Sequence, residues 1–409
     1  MKPRILYIAS TFPALTVTFI YREIAALRRL GFSVDTVSMN RPASNAISGE
    51  AKTYLNTTHF LDQISLARKF VSFVLAWLRH PFRMLRCFGI IVSAKPMQGP
   101  RDYCRLIYHW IEACHLDLFF RENPPDHIHA HFVNGPTSLA MFFGLLRDIP
   151  FSFTMHASMI WLDPLALANK LSRCSFAASI SDYNRRYVES QYGNDAERKI
   201  RIIRCGIEPA SIPDHVANSH SGSLRILSIG QMNARKGFHV LLKACSYLKN
   251  LGVEFHCTIV GDGEERARLE DLHQQENLTG SVELVGARTQ EEIKSYYEAA
   301  DIFVLPCVIS QDGWRDGIPV VLMEAMSWRI PVVTTNILGL PELVISEKTG
   351  ILVEPEDPEA LASSIQRLAR DPALRETLGM AGRHFVENEF NVDRSAEKLA
   401  ELFTSSQSP

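Results

Sequence analysis

Two carboxylates, Asp316 and Glu324, bracket seven residues in the stretch RDGIPVVLMEAM, and their surroundings differ. Asp316 precedes Gly317-Ile318-Pro319, a turn in which Gly317 permits close backbone approach. Glu324 lies in the apolar run Val320 to Met326, which reads as a helix buried on most sides. A carboxylate accepts hydrogen bonds from neighbouring hydroxyls, and a buried one needs partners, so Glu324 reads as a ligand-holding group rather than a helix-surface acid. Arg235 and Lys236 stand directly before Gly237, where a helix should begin. A helix start adds free amides and partial positive charge, which suits an anion; a solvated basic turn is the other reading of these two residues. His156 in FTMHASMIW follows one expected strand, and His131 in HAHF ends another. A histidine after a strand is more often structural, but two at neighbouring strand ends would face one ligand.

Those residues need a scaffold of alternating strands and helices. Arg4 to Ala9 reads as a buried strand, Ile20, Ile24 and Leu27 recur at helical spacing, Gly31 is a good stop, and Val34 to Met39 reads as the next strand. Further strands are expected at 127–132, 151–155, 175–180 and 200–204. A second series is expected at 225–229, 255–260, 282–285, 302–305, 332–335 and 351–353. Helices fit 237–249, 264–274, 290–299, 319–327 and 358–370, with Pro319 in the first turn of its helix. This alternation predicts an α/β protein of two Rossmann-like doubly wound domains facing a cleft. The expected boundaries are 1–208, a Ser/Pro/His/Asn-rich linker at 209–223, a second domain at 224–385, and a C-terminal helix at 386–409 packing back toward the N-terminal domain. Ligands of such sheets bind beyond the carboxyl ends of the strands.

The chain's 409 residues suit two domains, and its net charge of −2 provides no global field for nucleic acid. None of the eight cysteines forms a Cys-x-x-Cys pair, and most sit in apolar runs, so free buried thiols are expected. No signal peptide or membrane span is expected, because Ile5 to Ala9 and Phe70 to Leu78 are too short. Gly261-Asp262-Gly263 lacks the rest of a dinucleotide fingerprint, which argues against an oxidoreductase.

The stretches SIGQMNARKGFHVLLKA, IVGDGEE, AADIFVLP, DGIPVVLMEAM, IPVVTT and GLPELV, in this order, resemble the retaining glycosyltransferases of GT-B fold in family 4. FPALTVTFIYREI and HIHAHF resemble bacterial exopolysaccharide members, colanic-acid-type transferases among them. The resemblance covers nearly the whole chain and is densest from 225 to 385. It implies a nucleotide-diphosphate sugar donor on the C-terminal domain, a glycan or lipid-linked acceptor on the N-terminal domain, no metal and no further cofactor.

Through that resemblance Glu324 is expected to hold the donor ribose and Asp316 the transferred sugar, with Asp one methylene shorter than the usual Glu. Lys236 and Arg235 are expected at the diphosphate, joined by the backbone of Gly317, Ile318, Pro319 and Val320, each but Pro319 offering an N–H donor. Gln231 replaces the family's arginine in that loop; it can hydrogen-bond a phosphate without neutralising it. The base is expected near Gly286 to Arg288, and His156 and His131 at the sugar or reaction centre. Thr16 and Thr18 resemble the family's Ser-Glu-Thr loop, with Val17 in place of Glu, and are expected at the phosphate or the acceptor. Met159 stands where many relatives carry an acceptor-side Asp. Two rival readings follow: a GT-B epimerase or hydrolase, and a nucleotide-sugar-binding protein that has lost catalysis.

Gln63 to Arg101 contains no Asp or Glu but carries Arg68, Lys69, Arg79, Arg83, Arg86, Lys95 and Arg101 among Phe70, Phe73, Trp77, Phe82 and Phe88. That combination fits a basic amphipathic helix pair on an anionic bilayer, or an ordinary helical insertion with a solvated arginine face. The expected location is cytoplasmic, with peripheral contact at the inner face of the plasma membrane as the open alternative.

Overall fold

Each run expected to be a strand joins one of two parallel sheets, and the central strands of both are buried on two faces. The computed structural model describes residues 2–14, 17–42, 52–156, 159–208 and 222–406. The chain divides into a unit of Met1–Arg204 with Val392–Pro409 and a unit of Cys205–Asn391.

In the first unit the strands are β1 (Arg4–Thr11), β2 (Ser33–Asn40), β3 (Thr58–Phe60), β4 (His127–His131), β5 (Phe151–Met155), β6 (Ala177–Ser179) and β7 (Ile200–Ile202), in spatial order β3-β2-β1-β4-β5-β6-β7. Every pairing is parallel. The short edge strand β3 was not expected; three residues leave little periodic signal. Because side chains alternate across a strand, β1 sends Leu6 and Ile8 into one core and Ile5, Tyr7 and Ala9 into the other. The second of these cores is closed by the helix Thr18–Arg29, with Ile20, Ile24 and Leu27 inward, and by the helix Val392–Ser405. Gly31, at φ +87°, ends the first of those helices. Val392, Ala396, Leu399 and Phe403 form the buried stripe of the last helix, and Phe403 packs among the rings of Phe32, His127, His129 and Phe176.

The second unit holds β8 (Leu224–Ile229), β9 (Phe255–Val260), β10 (Val282–Gly286), β11 (Ile302–Leu305), β12 (Val332–Thr335) and β13 (Ile351–Val353), ordered β10-β9-β8-β11-β12-β13 and all parallel. The boundary placed at 385 in the sequence falls inside the helix Pro372–Glu389, all of which belongs to this unit. The boundary placed at 208 moves to Arg204, because Ile207 bridges to Asn391 and its N–H donates to Phe390 O at 2.9 Å. Residues 209–221 of the expected linker lie outside the described residues.

Strand order reverses between β1 and β4 in one unit and between β8 and β11 in the other. At such a point the loops leave neighbouring strands in opposite directions and open a crevice at the carboxyl ends. Phe403→Ala should destabilise the first unit by about 3–5 kcal/mol, read from the lowered denaturant midpoint of its unfolding transition.

Candidate functional site

The reversal between β8 and β11 assembles the charged residues of the second unit. After β8 the chain turns at Gly230, runs through Gln231 and makes one 3-10 turn at Ala234–Lys236 before the helix Phe238–Asn250. Gly237 sits between turn and helix at φ +68°, and a Cβ there would lie 1.8 Å from Pro306 O, just after β11. Only glycine lets these two loops nest.

That nesting brings Arg235 and Lys236 onto Asp316. Arg235 Nε donates to Asp316 Oδ1 at 2.9 Å, and Lys236 Nζ stands 2.9 Å from Asp316 Oδ2. Arg235 also lies over the Trp314 ring at 5.6 Å. Burial, the largest single influence, would push the Lys236 pKa down, but the charge of Asp316, together with Cys307 and the Asp316 hydrogen bond, outweighs it, so the net shift is upward and the ammonium stays charged. Burial, and then Asp316, pushes the neighbouring Cys307 thiol up to about 12. Both cations keep donors to spare, since Arg235 uses only Nε and a lysine has three N–H groups. Sequence reasoning separated these three residues into cations for one ligand group and an acid for another; in the structure they form one ion-paired cluster.

Glu324 is 7% exposed, on the helix Val320–Ser327, and accepts from Tyr297 Oη at 3.2 Å. The same hydroxyl lies 3.3 Å from Val321 O. Pro319 is the extended residue that caps this helix rather than its first residue, at φ −65° and ψ 127°, so Val320 opens the helix. Gly317 and Ile318 link Asp316 to that start. Gln231 is exposed, with its side-chain oxygen 3.3 Å from Asn233 Nδ2. Gly286 ends β10 at φ +86° and accepts from Gly261 N–H at 2.9 Å. Tyr297 was missed; it is the buried residue of the helix Gln290–Ala299, and nothing in its local pattern marks it as polar support for an acid.

The reversal between β1 and β4 does the same for the histidines of the first unit. His131 ends β4, His156 follows β5, and His131 Nδ1 lies 3.0 Å from His156 Nε2. Glu23, from the helix Thr18–Arg29, places Oε1 3.2 Å from His131 Nε2, and Tyr7 Oη donates to that same oxygen at 2.7 Å. Burial, and then His131, holds the His156 pKa well below the usual histidine value. Glu23 was also missed, yet it sits three residues after Ile20 and four before Leu27, on the helix's apolar stripe. Thr18 opens that helix, and Thr16 lies outside the described residues. Met159 begins the single turn Met159–Leu162, and its sulfur accepts from Asn134 Nδ2 at 3.4 Å.

Among the described residues, one group of His, Cys, Asp or Glu could surround a metal ion: Glu23, His129 and His131. The two ring nitrogens of His129 already face Ser152 Oγ at 2.8 Å and Thr154 Oγ1 at 2.9 Å, and Glu23 serves Tyr7. The group is a hydrogen-bond network with no ring nitrogen of His129 left over for a ligand bond.

Two Rossmann-type units in one chain, each with a polar cluster where its strand order reverses, define a protein of the GT-B class. Two family models match in tandem, Glycosyltransferase Family 4 over residues 16–211 and Glycosyl transferases group 1 over residues 214–385. The chain belongs to these family 4, group 1 glycosyltransferases. It is 40% identical over 204 residues to the amylovoran biosynthesis glycosyltransferase AmsK of Erwinia amylovora, a stretch covering 50% of each chain. It is 39% identical over 209 residues, again 50% of each, to the putative colanic acid biosynthesis glycosyltransferase WcaL of Escherichia coli K12. The matched stretch thus spans about half the length of these relatives. Among solved structures, the sucrose-phosphate synthase of Thermosynechococcus elongatus superposes with a TM-score of 0.73 at 21% identity over 98% of both chains. Anabaena HepE in complex with UDP-glucose superposes with 0.70 at 18%, covering 98% of this chain and 100% of that one. These last two likenesses are of fold.

Asp316→Ala should lower the Lys236 pKa, because burial then acts without its largest opposing charge. More amine labelling of Lys236 at mildly alkaline pH, measured by mass spectrometry, checks the sign. In the unsubstituted protein the raised pKa contributes stability in full below the ordinary lysine value of about 10.4. That contribution fades as pH rises through the folded-state value.

Proposed function

We propose that the protein is a retaining glycosyltransferase that moves a sugar from a nucleotide-diphosphate sugar to a glycan or lipid-linked acceptor in surface-polysaccharide synthesis. The observation that carries this reading is the Arg235–Asp316–Lys236 cluster at the β8/β11 reversal, with Glu324 on the helix that follows. The exopolysaccharide names of the half-length relatives and the UDP-glucose complex of HepE support it.

In this reading Lys236 and Arg235 turn their spare donors to the diphosphate, and the N–H groups of Gly317, Ile318 and Val320 add to them. Charge-assisted bonds of this kind contribute about 1.5–3 kcal/mol each. Glu324 accepts from the ribose hydroxyls while Tyr297 holds its carboxylate. Asp316 offers its oxygens to the transferred sugar and the base lies by Gly286; His156 and His131 are the first unit's candidates for the sugar or the reaction centre. Gln231, Thr16 and Thr18 supply neutral hydrogen bonds at the phosphate or the acceptor. The bond from the anomeric carbon to the diphosphate breaks as the acceptor oxygen bonds to that carbon on the same face. The acceptor's proton passes to the leaving diphosphate. The protein's part is positioning and stabilising leaving-group charge, and two side-chain cations do this without a metal or cofactor.

Glu324→Ala should abolish the thermal stabilisation given by nucleotide sugars and reduce transfer at least a hundredfold while the fold persists. Unchanged transfer would sink the assignment; donor turnover without any acceptor would favour an epimerase or hydrolase.

We also propose that the first unit rests on an anionic membrane. The helix Leu66–Arg79 buries Lys69, Ser72 and Ala76 and packs Phe73 and Trp77 on the core, while Leu66, Phe70, Val71, Val74 and Leu78 are exposed. Lys69 Nζ is paired with Glu112 at 2.9 Å. The helix Pro81–Val92 continues the apolar surface with Phe82, Leu85, Phe88 and Val92. Arg68, Arg86, Lys95 and Arg101 are exposed around it, and no acid interrupts 63–101. No helix among the described residues is long and apolar enough to cross a membrane, so this face would lie in the interfacial plane. Vesicles containing phosphatidylglycerol should float the protein, and Phe70→Ser with Phe82→Ser should leave it at the bottom of the gradient. Equal flotation with purely zwitterionic vesicles would remove the electrostatic part.

A further inference from the structure

We propose that the open cavity beside the helix Pro81–Val92 binds the headgroup of an anionic phospholipid that carries free hydroxyls, phosphatidylglycerol being the type. The inference deepens the membrane reading above and rests on it for the bilayer that supplies the lipid.

The cavity measures about 1070 Å³ and is lined by residues of the first unit alone. Ligand sites occupy roughly 300–1,000 Å³, so a headgroup fits together with the glycerol it hangs from. The cavity lies at the amino ends of the strands: Asp126 precedes β4, Phe151 begins β5 and Ser175 precedes β6. His131 and His156 stand at the carboxyl ends, so the cavity is no part of the histidine cluster.

One wall is the helix Pro81–Val92, through Arg86, Gly89 and Ile90, followed by Ser93. Positions three and four apart share a helix face. Arg86, Gly89, Ile90 and Ser93 therefore make the stripe on the cavity, and Leu85, Gly89 and Val92 make the neighbouring stripe, which is exposed. Gly89 belongs to both, so the cavity opens along the edge of the apolar face. A glycine inside a helix costs stability relative to alanine. No packing demands one here, because a Cβ at Gly89 would meet no atom within 4 Å. What the missing side chain does is leave the cavity clear.

The charges around that space suit a ligand with two kinds of polar group. Among the described residues Arg86 has no hydrogen-bond or ion-pair partner. Arg173 donates only through Nη1, to Asn169 O at 3.2 Å and Ser172 Oγ at 2.9 Å. Both guanidinium groups keep donors for a phosphate. Asp126 Oδ2 accepts from the Arg4 N–H at 2.7 Å, and Asp148 pairs with Arg83. The lone pairs these two carboxylates have left repel an anion and accept from hydroxyls. A fatty acid or a bare phosphate would satisfy the arginines alone. A phosphodiester carrying a diol satisfies the arginines and the acids together, while Ile90, Leu145 and Ile149 offer apolar surface to its carbons.

The test is isothermal titration calorimetry of the full chain with dioctanoyl phosphatidylglycerol below its micelle concentration, run beside flotation on long-chain vesicles. The short-chain lipid should bind saturably, and dioctanoyl phosphatidylserine, equally anionic but without hydroxyls, at least tenfold more weakly. Gly89→Trp fills the cavity and should weaken phosphatidylglycerol at least tenfold, whereas Gly89→Ala should keep its affinity within twofold. Arg86→Ala with Arg173→Ala should lose binding too, with thermal unfolding of every variant unchanged. Equal affinity for the two lipids, or unchanged affinity in Gly89→Trp, overturns the proposal. Glycerol phosphate binding as tightly as the lipid overturns it as well, by making a free phosphate ester the ligand. If vesicles fail to float the protein but the short-chain lipid behaves as described, the membrane face fails and the cavity stands. If vesicles float the protein and Gly89→Trp alike while the short-chain lipid does not bind, the membrane face stands and the cavity proposal fails.

Discussion

The reversal of strand order is the constraint on which both polar clusters depend. A parallel sheet sends every strand's carboxyl end the same way, and only where neighbouring strands diverge does the backbone leave room between loops. In the second unit the room between β8 and β11 is nearly closed again by Gly237 against Pro306 O, which is why Arg235, Lys236 and Asp316 share one contact. In the first unit the corresponding space after β1 and β4 is bounded by the helix Thr18–Arg29, and that helix supplies the acid which the two histidines lack.

The two clusters solve the cost of burial differently. Lys236 and Asp316 are 13% and 18% exposed at the side chain, and each satisfies the other's charge. Taking one partner out of such a pair costs about 3–5 kcal/mol where burial is complete, because the other charge is then left buried and unpaired. Under the proposed function, a phosphate approaching Lys236 would add a second anion to a cation already neutralised once, and the spare N–H groups of Arg235 would supply the remaining charge. Burial lowers the pKa values of His129 and His156, and the single carboxylate is shared between a phenol and one ring nitrogen.

Much of this was legible in the residues, and the exceptions have physical causes. Alternation of apolar runs located most strands, because parallel strands buried on both faces leave continuous hydrophobic stretches. The edge strand β3 escaped because an edge needs neither length nor continuous apolarity. Arg235, Lys236, Asp316 and Glu324 were recognisable from local sequence, but their mutual pairing was not. Residues 235 and 316 are separated by β9, β10 and β11, and spacing along the chain says nothing of that contact. Glu23 carried a readable signal, an acid on an apolar helical stripe, and the three histidines of HIHAHF at alternate positions share one face of β4. The structure joins those two signals; neither identified the other.

The helix Leu66–Arg79 shows why charge counts along a sequence are not surface maps. Its basic residues suggested a solvated cationic face, yet Lys69 is among the most buried residues of the stretch. Burial works against its charge, while the Tyr108 and Glu112 partners raise its pKa. Arg79 likewise turns to Asp117 at 3.2 Å. With those charges taken inward, the outward face is left to Phe70, Val71, Val74 and Leu78. In water each exposed large apolar side chain forgoes about 1.5–3 kcal/mol of burial. Inverting these side chains would hide that apolar area only by exposing it to the polar partners Glu112 and Asp117 on the neighbouring helix. The inward turn of Lys69 and Arg79 is therefore fixed by ion pairs inside the unit, and the apolar side chains left outward form the face on which the membrane proposal rests.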